Sequence, residues 1–324
     1  MEITELREKL LGTFKDFDPK EANSIADYLL WAEMAGVKTQ GMVKLVGNAP
    51  IQNVKPTGSI KVEKETGISQ LINARNHLAI AVSQIAADAA ISKAKENGIG
   101  IIGVHNFFTS DGSKAFYVEK IARAGLIGIF CNRSPSSVTG FGSIDPLFGT
   151  NPIGFGFPTN EEPLVFDMAT SAMTFYGLLI AHAKGEKLPT NVAIDEDGNL
   201  TTDPSKALNG AILPFDRGFK GAGLGMVVEI LAGPLVSAGW IDNKGQKLEW
   251  GALLIAINPN LLTDTDTFKN NCSDLIKKIK NSRKETGHQD IRLPGERARK
   301  EYNEALRSGF VEVDDAILQE LKYI

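Results

Sequence analysis

Metal ligands and cross-linking residues are scarce in this chain. Two cysteines, Cys131 and Cys272, and four histidines are scattered without ligand spacing over 324 residues. That argues against a zinc module or a disulfide framework, and no metal is expected. Such low cysteine usage fits a reducing compartment, so a cytoplasmic location is expected. A strong charge of one sign is also missing. Lys+Arg number 35 against 39 Asp+Glu, a net charge of −4, too mild to point to nucleic acid or an anionic membrane. No basic stripe is interleaved with aromatics, as a single-strand binder would need. The opening residues, Met1-Glu2-Ile3-Thr4-Glu5, lack an apolar run, so no signal peptide is read. The longest apolar stretch, 221–240, is broken by Glu229 and Pro234. It reads as a buried helix and not a membrane span.

What is present is ordinary globular composition, 43% hydrophobic and 23% charged, enough for one large or two moderate domains. Residues 3–36 predict two helices. The second opens with Asp18-Pro19-Lys20-Glu21, which supplies an N-cap, a proline at N1 and a first-turn acid. Residues 48–60 read as a crossing loop, and 61–64 and 69–72 as short strands. Residues 78–96 form an amphipathic pattern that stops at Asn97-Gly98, a helix C-cap. Strands are expected at 99–104, 126–131, 153–157, 164–166 and 251–257. Helices are expected at 113–124, 170–184 and 220–236, and the tail from 263 reads as helical and charged. Several strands follow one another over short links, which favours a mixed, largely antiparallel sheet over a regular βαβ series.

Gly98-Ile99-Gly100-Ile101-Ile102-Gly103 matches the dinucleotide fingerprint G-x-G-x-x-G but fails its context. That motif needs strand, glycine turn and then helix, so that helix amides meet the pyrophosphate. Here a helix precedes the glycines and a strand follows. The segment reads as a C-cap followed by closely packed backbone.

Four other segments place unusual residues in loops or at helix starts. Gly149-Thr150-Asn151-Pro152, after Gly140-Phe141-Gly142, is a polar turn between apolar strands, either a ligand wall or a plain turn. Asp167-Met168-Ala169-Thr170-Ser171 follows an apolar strand. Thr170 or Ser171 stands where an N-cap belongs, with amides for a phosphate or ribose, and Asp167 either contacts a ribose hydroxyl or only assists the helix start. Gly218-Phe219-Lys220-Gly221 sets a lysine at the start of an apolar helix, suited to phosphate or simply solvated. Arg292-Leu293-Pro294-Gly295-Glu296-Arg297 is a basic loop and by itself reads as a surface turn.

Taken in order with Glu96-Asn97-Gly98-Ile99-Gly100, Ala124-Gly125-Leu126-Ile127-Gly128-Ile129 and Asp195-Glu196-Asp197-Gly198-Asn199-Leu200-Thr201, these segments resemble the malate/L-lactate dehydrogenase family that lacks a Rossmann fold. The family includes enzymes of the ureidoglycolate, sulfolactate, diketogulonate and piperideine-carboxylate type. The resemblance implies NAD- or NADP-dependent interconversion of 2-hydroxy and 2-oxo acids, or of cyclic amines and imines. It implies a homodimer, with a cofactor domain over residues 66–282 and a mainly helical domain built from residues 1–65 and 283–324. The expected fold is therefore α/β, a non-Rossmann cofactor domain with a mixed, largely antiparallel sheet plus that helical domain. Cofactor roles are carried onto Ser134, Asp167, Met168, Ala169, Thr170, Ser171, Phe219, Lys220, Gly295, Glu296 and Arg297.

The chain departs from this pattern at the catalytic positions. Where the family carries Ser-His-Gly, with the His as proton donor, it reads Thr39-Gln40-Gly41. A glutamine amide bonds but delivers no proton near neutral pH. The family arginine four residues on is Lys44, a further arginine falls at Gly47, and the His of the last loop is Glu296. A second family His falls, with a one-residue shift, within Phe107-Phe108-Thr109-Ser110-Asp111. Among the remaining histidines, His105 ends a strand beside that divergent loop. It reads either as a relocated acid or as a structural histidine. Gln40, Lys44, His105 and Asp167 are thus the candidate catalytic residues. Three readings follow: an altered substrate, with an imine tolerating the lost His better than a ketone; a weak or inactive cofactor-binding homologue; or a 2-oxo acid reductase whose acid has moved.

Overall fold

Side chains that alternate in direction along Trp250–Ile257 set the layers of this protein. Ala252, Leu254 and Ala256 point into one apolar cluster, and Leu253 and Ile255 into another, because successive strand residues face opposite sides of a sheet. A computed structural model describes residues 1–46, 50–239 and 249–322. Its strands are β1 (Lys61–Glu65), β2 (Ser69–Asn73), β3 (Ile99–Phe107), β4 (Ile127–Arg133), β5 (Val138–Thr139), β6 (Pro146–Phe148), β7 (Ile153–Phe157), β8 (Leu164–Met168), β9 (Ala193–Ile194), β10 (Leu200–Thr201), β11 (Ala211–Ile212) and β12 (Trp250–Ile257). Its helices are α1 (Ile3–Thr13), α2 (Pro19–Met34), α3 (Ala79–Asn97), α4 (Lys114–Arg123), α5 (Phe175–Lys184), α6 (Pro204–Asn209), α7 (Phe219–Ala232), α8 (Thr265–Lys280), α9 (Glu296–Ser308) and α10 (Asp315–Lys322).

The main sheet has seven strands in the order β1-β2-β3-β12-β4-β7-β8. Every neighbouring pair in it is antiparallel except β2–β3. Helices α3 and α4 cover one face and α7 the other. A second sheet, β10-β9-β11-β5-β6, packs with α5 and α6 around Leu178, Val192, Ala207 and Ile212. The protein is α/β with two mixed sheets. The small sheet escapes sequence reading because its strands run two or three residues, too short to show a period of two.

Both chain ends meet. Ile3 donates its amide to Gly309 O at 3.0 Å, Val311 donates to Met1 O at 2.9 Å, and α2 packs on α9. The expected cap of α2 forms, with Asp18 Oδ1 accepting from Lys20 N and Glu21 N. Gly98 ends α3 in the left-handed region at φ 86°, where glycine carries no Cβ penalty. Two expected helices are shorter than anticipated. The one at 170–184 begins only at Phe175, because β8 runs on to Met168 and the next amides are already taken: Thr170 N bonds Thr150 O and Ala172 N bonds Leu213 O. The apolar helix at 220–236 ends at Ala232, before Gly233-Pro234, and continues as a 3-10 turn over Pro234–Val236. Its Glu229 pairs with the buried Arg133 at 2.8 Å, as suits a core helix. Trp240 and Gly47 lie outside the described residues.

The rejected G-x-G-x-x-G segment is packed from both sides. A Cβ on Gly100 would lie 2.2 Å from Ala90 O of α3, and one on Gly103 2.9 Å from the Val236 side chain. Gly100→Ala is therefore expected to destabilise the fold by about 1–3 kcal/mol, the usual cost of overpacking. Urea unfolding checks this, and an unchanged midpoint would show that helix and strand are not held this closely.

Candidate functional site

Helix α4 carries a charge on its apolar stripe. Lys114 lies one and two turns from Tyr117, Val118 and Ile121, all buried, and is itself 1% exposed. Its ammonium is paired with the Asp111 carboxylate, which is also fully buried, and donates to Gly112 O at 2.8 Å. A buried charge demands such a partner. Gly112 is required where it stands. Its φ is 81°, and a Cβ would fall 1.7 Å from the Tyr28 hydroxyl. That hydroxyl accepts from Ser113 N at 2.6 Å and donates to Gln40 O at 3.2 Å. Burial holds its proton on, well above the usual phenol range. Tyr28 of α2 thereby clamps the 3-10 segments Lys38–Gln40 and Met42–Leu45 against the loop before α4.

Lys44 lies on the second of those segments, 2% exposed. It makes no ion pair among the described residues. Its Nζ donates to Gln40 Oε1 at 3.3 Å and sits 4.1 Å above the Tyr176 ring of α5, a cation–π contact. Burial first, and the neighbouring Lys114 charge second, lower its pKa to about 7 against a partial opposing pull from Asp111. Asp167 closes the group from the end of β8. Its Oδ2 accepts from Ser113 Oγ at 2.6 Å, Lys114 N at 2.8 Å and Ala115 N at 3.3 Å. It therefore caps α4, not the helix that follows it in sequence. Burial raises its pKa, opposed by the Lys114 charge and these bonds.

Several of these groups border a cavity of about 390 Å³, with Lys44, Asp111 and Tyr28 behind its lining. Gln40, Ser113, Lys114 and Asp167 lie on one side, and Ser134, Ser136, Ser137 and Thr150 supply hydroxyls; Met168, Phe175, Tyr176, Leu179 and Trp250 make its apolar walls. The arrangement suits an anionic group beside a flat ring, because it sets buried cations next to apolar surface.

The structure brings together Gln40, Ser134, Asp167, Met168 and Ala169 in the lining, with Lys44 directly behind. The other expected residues stand apart. His105 is held by Glu249 at 3.7 Å and Glu63 at 2.9 Å, which raise its pKa, and it is not among the residues lining the cavity. Those partners are what the structural-histidine reading expects. Thr170 and Ser171 cap no helix. Thr174 caps α5, accepting from Gly177 N at 3.1 Å, while Thr170 Oγ1 bonds Thr150 O and Ser171 Oγ bonds Met173 O. Phe219 and Lys220 start α7 in solvent, Phe219 facing Phe141 at 6.3 Å. Asp216 already accepts two amides there, from Gly218 and Gly221. Gly295 caps α9, Glu296 pairs with Lys280 at 2.6 Å, and Arg297 lies 3.8 Å from Glu301. That loop is outside the cavity lining.

A profile of malate/L-lactate dehydrogenase matches residues 2–322. The chain belongs to the malate/L-lactate dehydrogenase family. It is an oxidoreductase of that family, which works with NAD(P). A malate/(S)-sulfolactate dehydrogenase of Methanothermus fervidus is 37% identical over 317 residues, covering 94% of this chain and 90% of that one. A Δ1-pyrroline-2-carboxylate/Δ1-piperideine-2-carboxylate reductase of Pseudomonas putida is 37% identical over 248 residues, covering 73% and 69%. Among solved structures, a malate dehydrogenase of Entamoeba histolytica superposes with a TM-score of 0.92 at 25% identity, covering 100% of this chain and 96% of that one.

Sequence reasoning missed Asp111, Lys114, Tyr28 and Tyr176. Lys114 had a signal: a charge in register with Tyr117, Val118 and Ile121 on an amphipathic helix. Asp111→Asn is expected to destabilise the protein by about 3–5 kcal/mol, since it strands a buried ammonium, and Asp111→Asn/Lys114→Met to recover most of that loss. Urea denaturation at pH 7 measures both. Equal losses in the single and double variants would mean that the pair is not coupled.

Proposed function

We propose that this chain is an NAD(P)-dependent dehydrogenase or reductase that moves a hydride to or from C2 of a small 2-oxo or 2-hydroxy acid, or of the related imine or amine. The observation that carries this is a buried lysine, Lys44, without a carboxylate partner among the described residues, beside a second buried lysine and directly behind the lining of a cavity. A buried unpaired cation costs several kcal/mol unless an anion arrives, which favours a working site over an inactive one. The substrate carboxylate is that anion. The names of the relatives, hydroxy acid and cyclic imine alike, supply the two substrate types.

The cavity fits the nicotinamide end of the cofactor. Ser134 Oγ accepts from Thr150 N at 3.1 Å, which leaves its own proton to donate, and Met168, Leu179 and Phe175 offer an apolar wall for a ring. The cofactor, NAD or NADP, supplies or accepts the hydride when bound. Ser134, Met168 and Ala169 would hold the nicotinamide half, and Lys220, exposed and with no ion pair among the described residues, would reach a phosphate. Lys44 and Lys114 make the site positive for a carboxylate, and Gln40 offers its amide. Asp167 keeps α4, and with it Lys114, in register. Residues 66–282 form the cofactor domain in this reading, and residues 1–65 and 283–324 the helical one. A homodimer would cover the apolar outer face of α7, where Met226, Val227 and Ile230 are exposed, together with Leu235 on the 3-10 turn that follows. A cytoplasmic setting suits two free cysteines.

Fluorescence titration with NADH and NADPH, followed by their oxidation with a panel of 2-oxo acids and cyclic imines, tests the proposal. Binding of one cofactor and turnover with at least one substrate are expected, and binding of neither sinks it. Lys220→Ala should weaken cofactor binding by about 1.5–3 kcal/mol, as for a charge-assisted bond. Unchanged affinity removes Lys220 from the site.

A further inference from the structure

Lys114 lines the cavity and Lys44 lies directly behind two residues that line it, and the surroundings of the two ammonium groups differ in kind. Lys114, on α4, is anchored by the Asp111 carboxylate and the Gly112 carbonyl. Lys44 has no such anchor among the described residues. Its contacts are Gln40 Oε1 on its own 3-10 turn and the Tyr176 ring of α5, and both of those residues line the cavity. The charged groups that act on it from the neighbouring elements are Lys114, which repels its proton, and Asp111, whose carboxylate is engaged by Lys114. An ammonium in that position gives up a proton readily, and the neutral amine left behind is at ease over an aromatic face.

We infer that Lys44 exchanges a proton with the substrate during hydride transfer, while Lys114, anchored to Asp111, holds the substrate carboxylate. This rests on the proposed hydride transfer and names the acid that the glutamine at position 40 cannot be. In reduction, C2 accepts the hydride and its C=O π pair moves to oxygen. That oxygen takes a proton from Lys44 as an N–H bond breaks. The bound cofactor would supply the hydride and with it the two electrons that the carbonyl gains, and Lys44 regains its proton from water. In oxidation, neutral Lys44 takes the hydroxyl proton as the hydride leaves. An arginine at this position does not deprotonate and serves as a clamp only. A lysine desolvated beside another cation is brought into the range where general acids work at neutral pH, here about 7.

The sign of the pH dependence follows. Reduction needs the charged amine, so kcat/KM on a 2-oxo acid should be level below pH 7 and fall about tenfold per unit above it. Oxidation of the matching 2-hydroxy acid needs the neutral amine and should rise through the same pH to a plateau. Lys44→Arg separates the roles, because it keeps the charge and removes the transferable proton. It should lose about 10²–10⁴-fold in kcat on a 2-oxo acid, along with the inflection near pH 7, while cofactor affinity stays. Lys44→Met tests the amine without turnover. In 13C-lysine-labelled protein, one Cε resonance titrating near pH 7 should vanish in this variant. Its melting temperature should exceed wild type at pH 6 by more than at pH 9. The buried charge weakens the fold below the folded-state pKa, and that penalty fades as pH rises from there toward the unfolded value. Lys44→Arg retaining wild-type turnover, or no lysine resonance titrating between pH 6 and 8, overturns this inference alone. Wild type that turns over no substrate with either cofactor overturns the hydride-transfer reading and this one with it.

Discussion

The Asp111–Lys114 pair fixes the geometry around it. Two full charges sit together at 1% exposure or less, and neither tolerates loss of the other in a low-dielectric interior. To meet Asp111, the loop before α4 turns through a left-handed Gly112, which admits the Tyr28 hydroxyl from α2. Tyr28 then reaches Gln40 O, and Asp167 takes the free amides at the start of α4. One ion pair thus recruits α2, α4, β8 and the segment around Gln40 to a single point. The cavity is the space these elements leave beside α5 and the turn at Ser134.

Against that anchored pair, the freedom of Lys44 becomes meaningful. A fold that needed only to bury a side chain there has methionine or leucine available at lower cost. A lysine with no counterion among the described residues, next to another lysine, makes the region electrostatically incomplete until an anion arrives. The same incompleteness lets one residue serve in two ways. Charged, it adds to the attraction for a carboxylate, and near neutral pH it can change state as the substrate does. Gln40 and Lys44, where the resemblance leads one to expect a histidine and an arginine, then read as two parts of one arrangement.

The sequence makes the main sheet and its covering helices legible because their signals are long or local. The cap at Asp18, the glycine stop at Gly98 and the apolar strand at 153–157 each act over a few residues. The helix expected from 170 fails for a tertiary reason: β8 continues, and the loop amides bond to distant carbonyls instead of opening a helix. In the site, Gln40, Ser134, Asp167 and Lys44 were found by resemblance to a pattern. Pattern order carries no distances, so it gives the same weight to 295–297, a loop that the structure keeps outside the cavity lining. His105 looked mobile in role only because its partners, Glu63 and Glu249, lie 42 and 144 residues away in sequence. Lys114 was overlooked because the divergent stretch before α4 hides the register in which it joins an apolar face.

A structure of the complex with reduced cofactor and oxamate, a stable carboxylate-bearing analogue of a 2-oxo acid, tests the account most directly. The oxamate carboxylate is expected against Lys114 and Gln40, and its C2 oxygen within hydrogen-bonding distance, about 2.7–3.2 Å, of Lys44 Nζ. Oxamate bound elsewhere, or in this cavity with Lys44 turned away and still facing only Gln40 and Tyr176, would contradict it.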